Sequence, residues 1–142
     1  MRTALDELFA AACARITRLT PGEANAACDR GALLVDIRDS GSRRRDGVAP
    51  GSLYLPRTVL EWRVDPDGAW RNPAVGDLAS ELIVVCDHGY SSAFAAAALV
   101  DLGYARTADV VGGFEAWRAA GLPVTRPREP ADGVLPGLGP PD

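Results

Sequence analysis

Residues 82–102 read LIVVCDHGYSSAFAAAALVDL and carry the clearest secondary-structure signal of the chain. It opens with four aliphatic residues and Cys86, and such a short apolar run is typical of a parallel strand that is buried on both faces. The alanine-rich part from Ser92 to Leu102 predicts a helix, which Gly103 ends. The sequence therefore predicts a strand, a short polar loop and a helix, with Cys86 where the strand meets the loop.

Similar patterns recur along the chain and predict an alternation of strands and helices. Further strands are expected at residues 33–37, 52–55 and 109–111. Further helices are expected at residues 4–17, 20–31, 58–64 and 114–119. The second of these helices starts with Thr20, Pro21 and Glu23, a favourable capping sequence, whereas residues 38–52 are polar and are expected to form a loop. Such an alternation indicates an α/β domain with a parallel sheet covered by helices on both faces.

The length of 142 residues fits one compact domain with two flanking segments. Residues 1–18 place apolar side chains at helical spacing and are expected to form an amphipathic helix. Residues 19–125 hold the alternating strands and helices and form the domain itself. Residues 126–142 are rich in proline and glycine, so we expect this tail to be disordered.

The sequence indicates where the protein is located and which classes of partner it lacks. No apolar run is long enough to cross a bilayer, so no membrane span is expected. Asp6 and Glu7 stand where a signal peptide would have its apolar core, and we therefore expect a cytoplasmic protein. The net charge of −4 argues against binding to nucleic acid. The three cysteines and the single histidine lack the spacing of a zinc site, so no metal is expected.

Residues 86–92 place a cysteine at the end of a strand and in front of a helix. Backbone N–H groups at the start of a helix are unpaired and carry a partial positive charge, which favours a thiolate at Cys86. Gly89 lets the chain turn sharply, and Ser91 and Ser92 can either cap the helix or donate hydroxyl groups to a bound anion. The local sequence leaves a second interpretation equally open, in which Cys86 is a buried structural residue.

Four segments of the sequence resemble the rhodanese-like, or sulfurtransferase, superfamily. They read LVDIR at residues 34–38, GVAPGS at 47–52, CDHGYSS at 86–92 and VGGFEAW at 111–117, and AGLPV follows the last of them at 120–124. The resemblance covers residues 19–125 and identifies the chain as a single-domain member of bacterial type. It implies the rhodanese-like three-layer fold, with a five-stranded parallel sheet flanked by helices on both faces.

The resemblance also implies a sulfur-transfer reaction without a metal or an organic cofactor. Cys86 would attack the outer sulfur of thiosulfate or of a low-molecular-weight persulfide, and would hold that sulfur as a persulfide. A thiol acceptor, or cyanide in the laboratory assay, would then remove it. Asp36 and Arg38, at the end of a strand, are expected to brace the loop. The residues expected to bind the substrate are those of the loop, Asp87, His88, Gly89, Tyr90, Ser91 and Ser92.

Two loop positions depart from the family pattern. Ser91 stands where relatives often have arginine or threonine, so a cation for the donor must come from elsewhere. We expect Arg57 and Arg63 to supply it, because they follow the strand that is expected to end beside the loop. Asp87 stands where relatives often have arginine, and its negative charge predicts weak activity with thiosulfate.

Two other functions use the same architecture. A rhodanese-like domain can carry sulfur to one protein acceptor without turnover, or act as a protein-interaction module, and residues 5–16 and the tail would then be docking elements. A cysteine-dependent phosphatase is the other alternative, but its loop is one residue longer and ends in arginine, and this sequence has neither feature. The sequence therefore favours a sulfurtransferase with a small-molecule donor and a thiol acceptor, with a protein sulfur acceptor as the alternative partner.

Overall fold

The computed structural model describes residues 1–129 and 132–142. In this part of the chain, five parallel strands form one sheet. They are β1 (Thr17–Leu19), β2 (Leu33–Asp36), β3 (Leu53–Tyr54), β4 (Leu82–Val85) and β5 (Thr107–Val110). Their order across the sheet is β1-β5-β4-β2-β3, which confirms the predicted parallel sheet and places β4 at its centre.

Helices cover both faces of the sheet. They are α1 (Ala4–Ala14), α2 (Pro21–Asp29), α3 (Ser40–Asp46), α4 (Leu60–Val64), α5 (Ser91–Asp101) and α6 (Gly113–Ala119), and a 3₁₀ turn (Arg57–Val59) precedes α4. On one face α4 and α5 pack against Leu82 and Val84 of β4, and on the other face α2 and α6 pack against Ile83 and Val85. This confirms the three-layer fold. None of the helices in the described ranges combines the length and the apolar character needed to cross a bilayer.

The two strongest local signals of the sequence are confirmed. Side chains of a strand alternate between the faces of a sheet, and because helices cover both faces here, every residue of β4 is buried. At the start of α2, the Glu23 N–H donates to the Thr20 hydroxyl at 3.2 Å, and the Thr20 N–H donates to the Glu23 carboxylate at 2.9 Å. Each residue thus satisfies a backbone donor of the other, which is why the helix begins at this point.

The N-terminal segment is part of the domain. The helix α1 packs against α5 through a small apolar cluster that includes Ala12 and Ala97. The strand β1 follows α1 directly and pairs with β5 at one edge of the sheet. The boundary expected between residues 18 and 19 therefore runs through β1. The sequence did not predict this strand, because three residues are too few for hydrophobic periodicity to reveal it.

The loop expected at residues 38–52 contains the helix α3, so that expectation is wrong for residues 40–46. The carboxylate of Asp39 caps this helix by accepting the Ser42 N–H at 2.7 Å. The sequence of α3, SGSRRRD, holds no apolar residue, so periodicity cannot indicate it. Polar contacts hold it instead, because Arg43 Nε donates to the Asp36 carboxylate at 3.3 Å.

The tail differs from the disorder that its composition predicts, as far as the structure describes it. Asn72 Nδ2 donates to the carbonyls of Gly137 and Gly139 at 2.9 Å each. Arg63 Nε donates to the Pro136 carbonyl at 2.8 Å. Composition cannot report such contacts, because they join backbone carbonyls of the tail to polar side chains of the domain. Residues 130 and 131 of the expected tail lie outside the described residues.

Candidate active site

Cys86 follows β4 directly, at the carboxyl edge of the sheet, and is buried. Residues 86–90 then form the loop that leads into α5. The start of α6 holds this loop, because the Phe114 N–H donates to the Cys86 carbonyl at 2.7 Å and the Glu115 N–H donates to the Asp87 carbonyl at 3.2 Å. Cys86 therefore lies between a strand end and two helix starts.

The loop and the turn before α6 approach each other very closely. Gly89 has a φ of +86°, and a Cβ at this position would lie 2.6 Å from the Gly112 nitrogen. A Cβ on Gly113 would lie 2.6 Å from the carbonyl oxygens of Cys86 and Asp87. The close approach of two backbone segments therefore requires glycine at positions 89 and 113.

Two backbone N–H groups donate to the sulfur atom of Cys86. The distances to Sγ are 3.2 Å from the Gly89 nitrogen and 3.3 Å from the Ser92 nitrogen. Burial by itself raises the pKa of the Cys86 thiol, but hydrogen bonds from the Ser91 and Ser92 hydroxyls and from these two N–H groups outweigh burial and lower the pKa below its ordinary value. The site therefore favours the thiolate, which is the nucleophilic form of cysteine.

The Ser92 hydroxyl has a second acceptor. Ser92 Oγ donates to Asp109 Oδ2 at 2.8 Å. Because a hydroxyl carries a single proton, it cannot donate to Asp109 and to Sγ at the same time. We therefore attribute the lowered pKa of Cys86 chiefly to the Ser91 hydroxyl and to the two N–H groups.

An ion pair that the sequence patterns did not indicate lies next to the loop. Arg18 Nε and Nη2 donate to the two carboxylate oxygens of Asp109 at 3.0 and 3.1 Å, and Nη2 also donates to the Gly89 carbonyl at 2.6 Å. Arg18 lies in β1, directly opposite Asp109 in β5. Asp109 is an acidic residue inside a buried strand. A buried carboxylate needs a partner, and this was the signal that could have indicated the pair.

Asp36 and Arg38, expected to brace the loop, form a buried ion pair. Arg38 Nε and Nη2 donate to the Asp36 carboxylate at 3.0 and 2.8 Å. The Arg38 guanidinium also lies 3.8 Å from the centre of the Phe114 ring. Since the Phe114 N–H binds the Cys86 carbonyl, the ion pair contacts the loop indirectly, through α6.

Arg57 and Arg63, the cations expected to bind the donor, have other partners. Arg57 pairs with Glu61 at 2.7 Å, and Arg63 donates to the Pro136 carbonyl of the tail. The strand order explains this, because β2 lies between β3 and β4 and the segment after β3 therefore does not start beside the loop. The structure does not bring these two arginines together with the loop residues in the groove described next.

A groove of about 310 Å³ lies beside the loop. Its polar lining consists of Arg45, Asp46, Asp87, His88, Glu115 and Arg118. Two of the expected substrate-binding residues, Asp87 and His88, are therefore among its walls. A larger cavity, of about 400 Å³, lies at the amino ends of β2 and β4, and no residue of the loop lines it.

Several charged groups of this groove pair with other residues of its lining. Asp46 pairs with Arg45 at 3.0 Å and with Arg118 at 3.4 Å. His88 Nδ1 lies 2.7 Å from Glu115 Oε2, and both side chains are largely exposed. Arg45 and Arg118 carry no signal in the local sequence pattern, because nothing in that pattern shows that α3 and α6 meet beside the loop.

The outer side of the loop is formed by Tyr90 and Ser91. The Tyr90 ring is exposed, and its centre lies 5.7 Å from that of the Phe9 ring in α1. Ser91 is the first residue of α5 and is exposed as well. All seven residues of the expected loop site, from Cys86 to Ser92, therefore lie together at one edge of the sheet.

Comparison with known proteins identifies relatives over most of the chain. Residues 20–120 match the family model of the rhodanese-like domain. A thiosulfate sulfurtransferase GlpE from Pseudomonas savastanoi is 38% identical over 102 residues, which cover 72% of this chain and 87% of that protein. A protein of the same name from Stutzerimonas stutzeri is 42% identical over 101 residues, covering 71% of this chain and 84% of that protein.

Solved structures share the fold. A protein of unknown function from Rhodopseudomonas palustris, described as a possible tyrosine phosphatase, is 33% identical with a TM-score of 0.79, and the match covers 88% of this chain and 96% of that chain. The polysulfide-sulfur transferase homodimer from Wolinella succinogenes matches with a TM-score of 0.69 at 23% identity, covering 85% of this chain and 86% of that chain. The second likeness concerns the fold alone.

Proposed function

Because this chain belongs to the rhodanese-like domain family, we propose that it is a sulfurtransferase whose Cys86 carries the transferred sulfur as a persulfide. The observation that carries the proposal is the buried Sγ of Cys86, which accepts hydrogen bonds from the N–H groups of Gly89 and Ser92. A thiolate held in this way is a nucleophile, and the same N–H groups stabilise a persulfide anion.

The reaction has two half-reactions. In the first, the Cys86 thiolate attacks the outer sulfur of the donor, and the bond between that sulfur and the rest of the donor breaks. The leaving group takes the electron pair, as sulfite when the donor is thiosulfate and as a thiolate when the donor is a persulfide. In the second, an acceptor thiolate attacks the terminal sulfur, and Cys86 leaves as a thiolate. Atoms and electrons balance without an external oxidant.

The groove beside the loop is the donor site in this proposal. Its lining holds two guanidinium groups, of Arg45 and Arg118, and three carboxylates, of Asp46, Asp87 and Glu115. Because negative groups outnumber positive ones, the groove disfavours a dianion such as thiosulfate relative to a persulfide of low charge. We therefore infer that a low-molecular-weight persulfide is a better donor than thiosulfate, the compound that appears in the names of the relatives.

A phosphatase is the second candidate, because one relative is described as a possible tyrosine phosphatase. Residues 86–92 contain no arginine, and a cysteine phosphatase uses an arginine to bind the phosphate oxygens. Sulfur transfer is therefore the better-supported reaction. Hydrolysis of an aryl phosphate that disappears in Cys86→Ser would reverse this order.

The experiment that tests the proposal is intact mass spectrometry of the full chain after brief exposure to thiosulfate or to glutathione persulfide. We expect the mass to increase by one sulfur atom and to return to its starting value when cyanide or a thiol is added. Cys86→Ser must show no increase. Cys28→Ser is the matched control and must behave as the unmodified protein, because burial raises the pKa of Cys28 and so lowers the share of its reactive thiolate.

Two outcomes would reject the proposal, an absence of added sulfur with both donors and an addition that persists in Cys86→Ser. A dedicated carrier is distinguished from a turnover enzyme by the acceptor. Persulfide that resists small thiols but is removed by one protein thiol would make the domain a carrier.

A cytoplasmic location is also part of the proposal, because a free thiolate at Cys86 needs a reducing compartment.

A further inference from the structure

The two N–H groups that donate to Sγ are each held by one further residue. The carbonyl of Gly89 accepts a hydrogen bond from Arg18 Nη2 at 2.6 Å. The hydroxyl of Ser92 donates to Asp109 Oδ2 at 2.8 Å. Arg18 and Asp109 are also bonded to each other, through two hydrogen bonds of 3.0 and 3.1 Å. A single ion pair therefore holds both residues that donate to the sulfur.

The sheet fixes this ion pair before any substrate binds. Arg18 and Asp109 face each other in the register of β1 and β5. The Asp109 side chain is fully buried and accepts three hydrogen bonds, two from Arg18 and one from Ser92. Charge-assisted hydrogen bonds with two parallel N–H donors are strong and define the geometry of both partners. The ion pair is thus a rigid support at the edge of the loop.

The two charges of the pair act on the sulfur in opposite directions, so the contribution of the pair to the sulfur is mainly geometric. Arg18 favours a thiolate at Cys86 and Asp109 opposes it, and together they add no net charge. The other charged or titratable groups around the loop, in the described part of the chain, are Asp87, His88 and Tyr90 on the loop itself, Arg45 and Asp46 on α3, and Glu115 and Arg118 on α6. None of these side chains bonds Gly89 or Ser92 among the described hydrogen bonds.

We propose that Arg18 and Asp109 are positioning residues for sulfur transfer, and that their ion pair holds the N–H groups of Gly89 and Ser92 where they stabilise the sulfur anion of Cys86. This inference rests on the proposed role of Cys86 as the reacting sulfur. Neither residue touches the substrate in this assignment, because both act through the loop.

The test compares two double variants in a chain that also carries Cys13→Ser and Cys28→Ser, so that only Cys86 reacts. Arg18→Met with Asp109→Asn removes the ion pair and keeps the net charge. Arg15→Met with Asp101→Asn is the matched control, because this exposed Arg–Asp pair also joins the N-terminal segment to the domain but does not touch the loop. The readout is the rate of alkylation of Cys86 by iodoacetamide as a function of pH.

We expect the midpoint of this pH profile to rise by about one pH unit in the first double variant, which is about a tenfold loss of thiolate below the midpoint. The control variant must keep the midpoint. Asp109→Asn alone separates position from charge, because removal of a nearby negative charge would lower the midpoint, whereas loss of positioning raises it. Arg18→Lys must recover part of the change, since lysine keeps a donor for the Gly89 carbonyl.

An unchanged midpoint in a folded double variant would overturn the inference, as would a lower midpoint in Asp109→Asn. If burial of Asp109 makes its variants unstable, Arg18→Lys in the otherwise unmodified pair is the second test, because Arg18 is partly exposed and lysine keeps the positive charge but lacks the guanidinium donors that bind Asp109 and Gly89 together. A midpoint above that of the unmodified protein supports positioning, and an unchanged midpoint overturns it. Alkylation requires no sulfur donor. A protein that never takes up sulfur would therefore reject the proposed function and leave this measurement valid, whereas normal sulfur uptake with an unchanged midpoint would reject only the positioning role.

Discussion

Replacement of Gly89 by alanine should destabilise the domain and reduce the reactivity of Cys86 together. Gly89 has a φ of +86°, and an alanine in the left-handed region costs about 1–2 kcal/mol. The added Cβ would also lie 2.6 Å from the Gly112 nitrogen, closer than carbon and nitrogen can approach, so the loop or the turn before α6 must move. The sum is a loss of about 2–4 kcal/mol in the free energy of unfolding.

The same movement displaces a donor to the sulfur. The Gly89 N–H is 3.2 Å from Sγ, and a shift of the loop lengthens this hydrogen bond. We therefore expect the pKa of Cys86 to rise towards its ordinary value and the alkylation rate near neutral pH to fall. Urea unfolding measures the loss of stability, and iodoacetamide alkylation of the folded protein measures the change at the sulfur.

Gly121→Ala is the matched control for this prediction. Gly121 has a φ of +73°, but a Cβ there would meet no atom within 4 Å. Gly121→Ala should lose only the conformational part of the free energy of unfolding, about 1–2 kcal/mol, and should keep the reactivity of Cys86. Equal losses of stability in the two variants, with unchanged alkylation in Gly89→Ala, would refute the argument that the close approach to Gly112 shapes the loop.

Three further predictions follow from individual contacts. Asp87→Asn should raise kcat/KM for thiosulfate by about tenfold or less and leave that for a neutral persulfide nearly unchanged, because it removes one negative charge next to the donor. Steady-state kinetics with both donors measure this, and an unchanged or lower kcat/KM for thiosulfate would contradict it. The pKa of Cys86 is lower in the folded protein than the ordinary thiol pKa of about 8.5, so its thiolate stabilises the native state. This contribution is complete above the ordinary pKa and is lost as the pH falls through the folded-state pKa. Urea unfolding should therefore show that the stability of the unmodified protein relative to Cys86→Ser rises with pH in that window, and a flat difference would contradict it. Asn72→Ala removes two hydrogen bonds to the tail, worth about 1 kcal/mol each, and should speed tryptic cleavage after Arg128. An equal cleavage rate in the variant and the unmodified protein would mean that the tail is disordered in solution.

The strands and the helix around the loop could be predicted because their signals are local. The apolar run of β4 predicts a buried strand, and the alanine-rich sequence of α5 predicts a helix. The Thr20 capping box marks the start of α2. The position of Cys86 follows from the same local order of strand, loop and helix. The glycines at positions 89 and 113 also belong to the recognisable segments, and the structure gives their physical reason.

The polar elements could not be predicted from hydrophobic patterns. The helix α3 contains no apolar residue, and the tail contacts the domain through its carbonyl oxygens. The expectation for Arg57 and Arg63 requires the strand before them, β3, to end beside the loop that follows β4. The observed order places β2 between β3 and β4, and the strand order of a parallel sheet is not encoded in any single strand.

The α/β class, the family and the place of Cys86 between a strand and a helix follow from the sequence alone, because each of these depends on residues that are neighbours in the chain. What surrounds the loop after Cys86 depends on the tertiary structure. The pairing of β1 with β5 brings Arg18 to Asp109, and the meeting of α3 with α6 brings Arg45 and Arg118 to the groove. These residues act through side chains that meet across long sequence separations, and a pattern read along one chain contains no information on which distant segments will be adjacent in space.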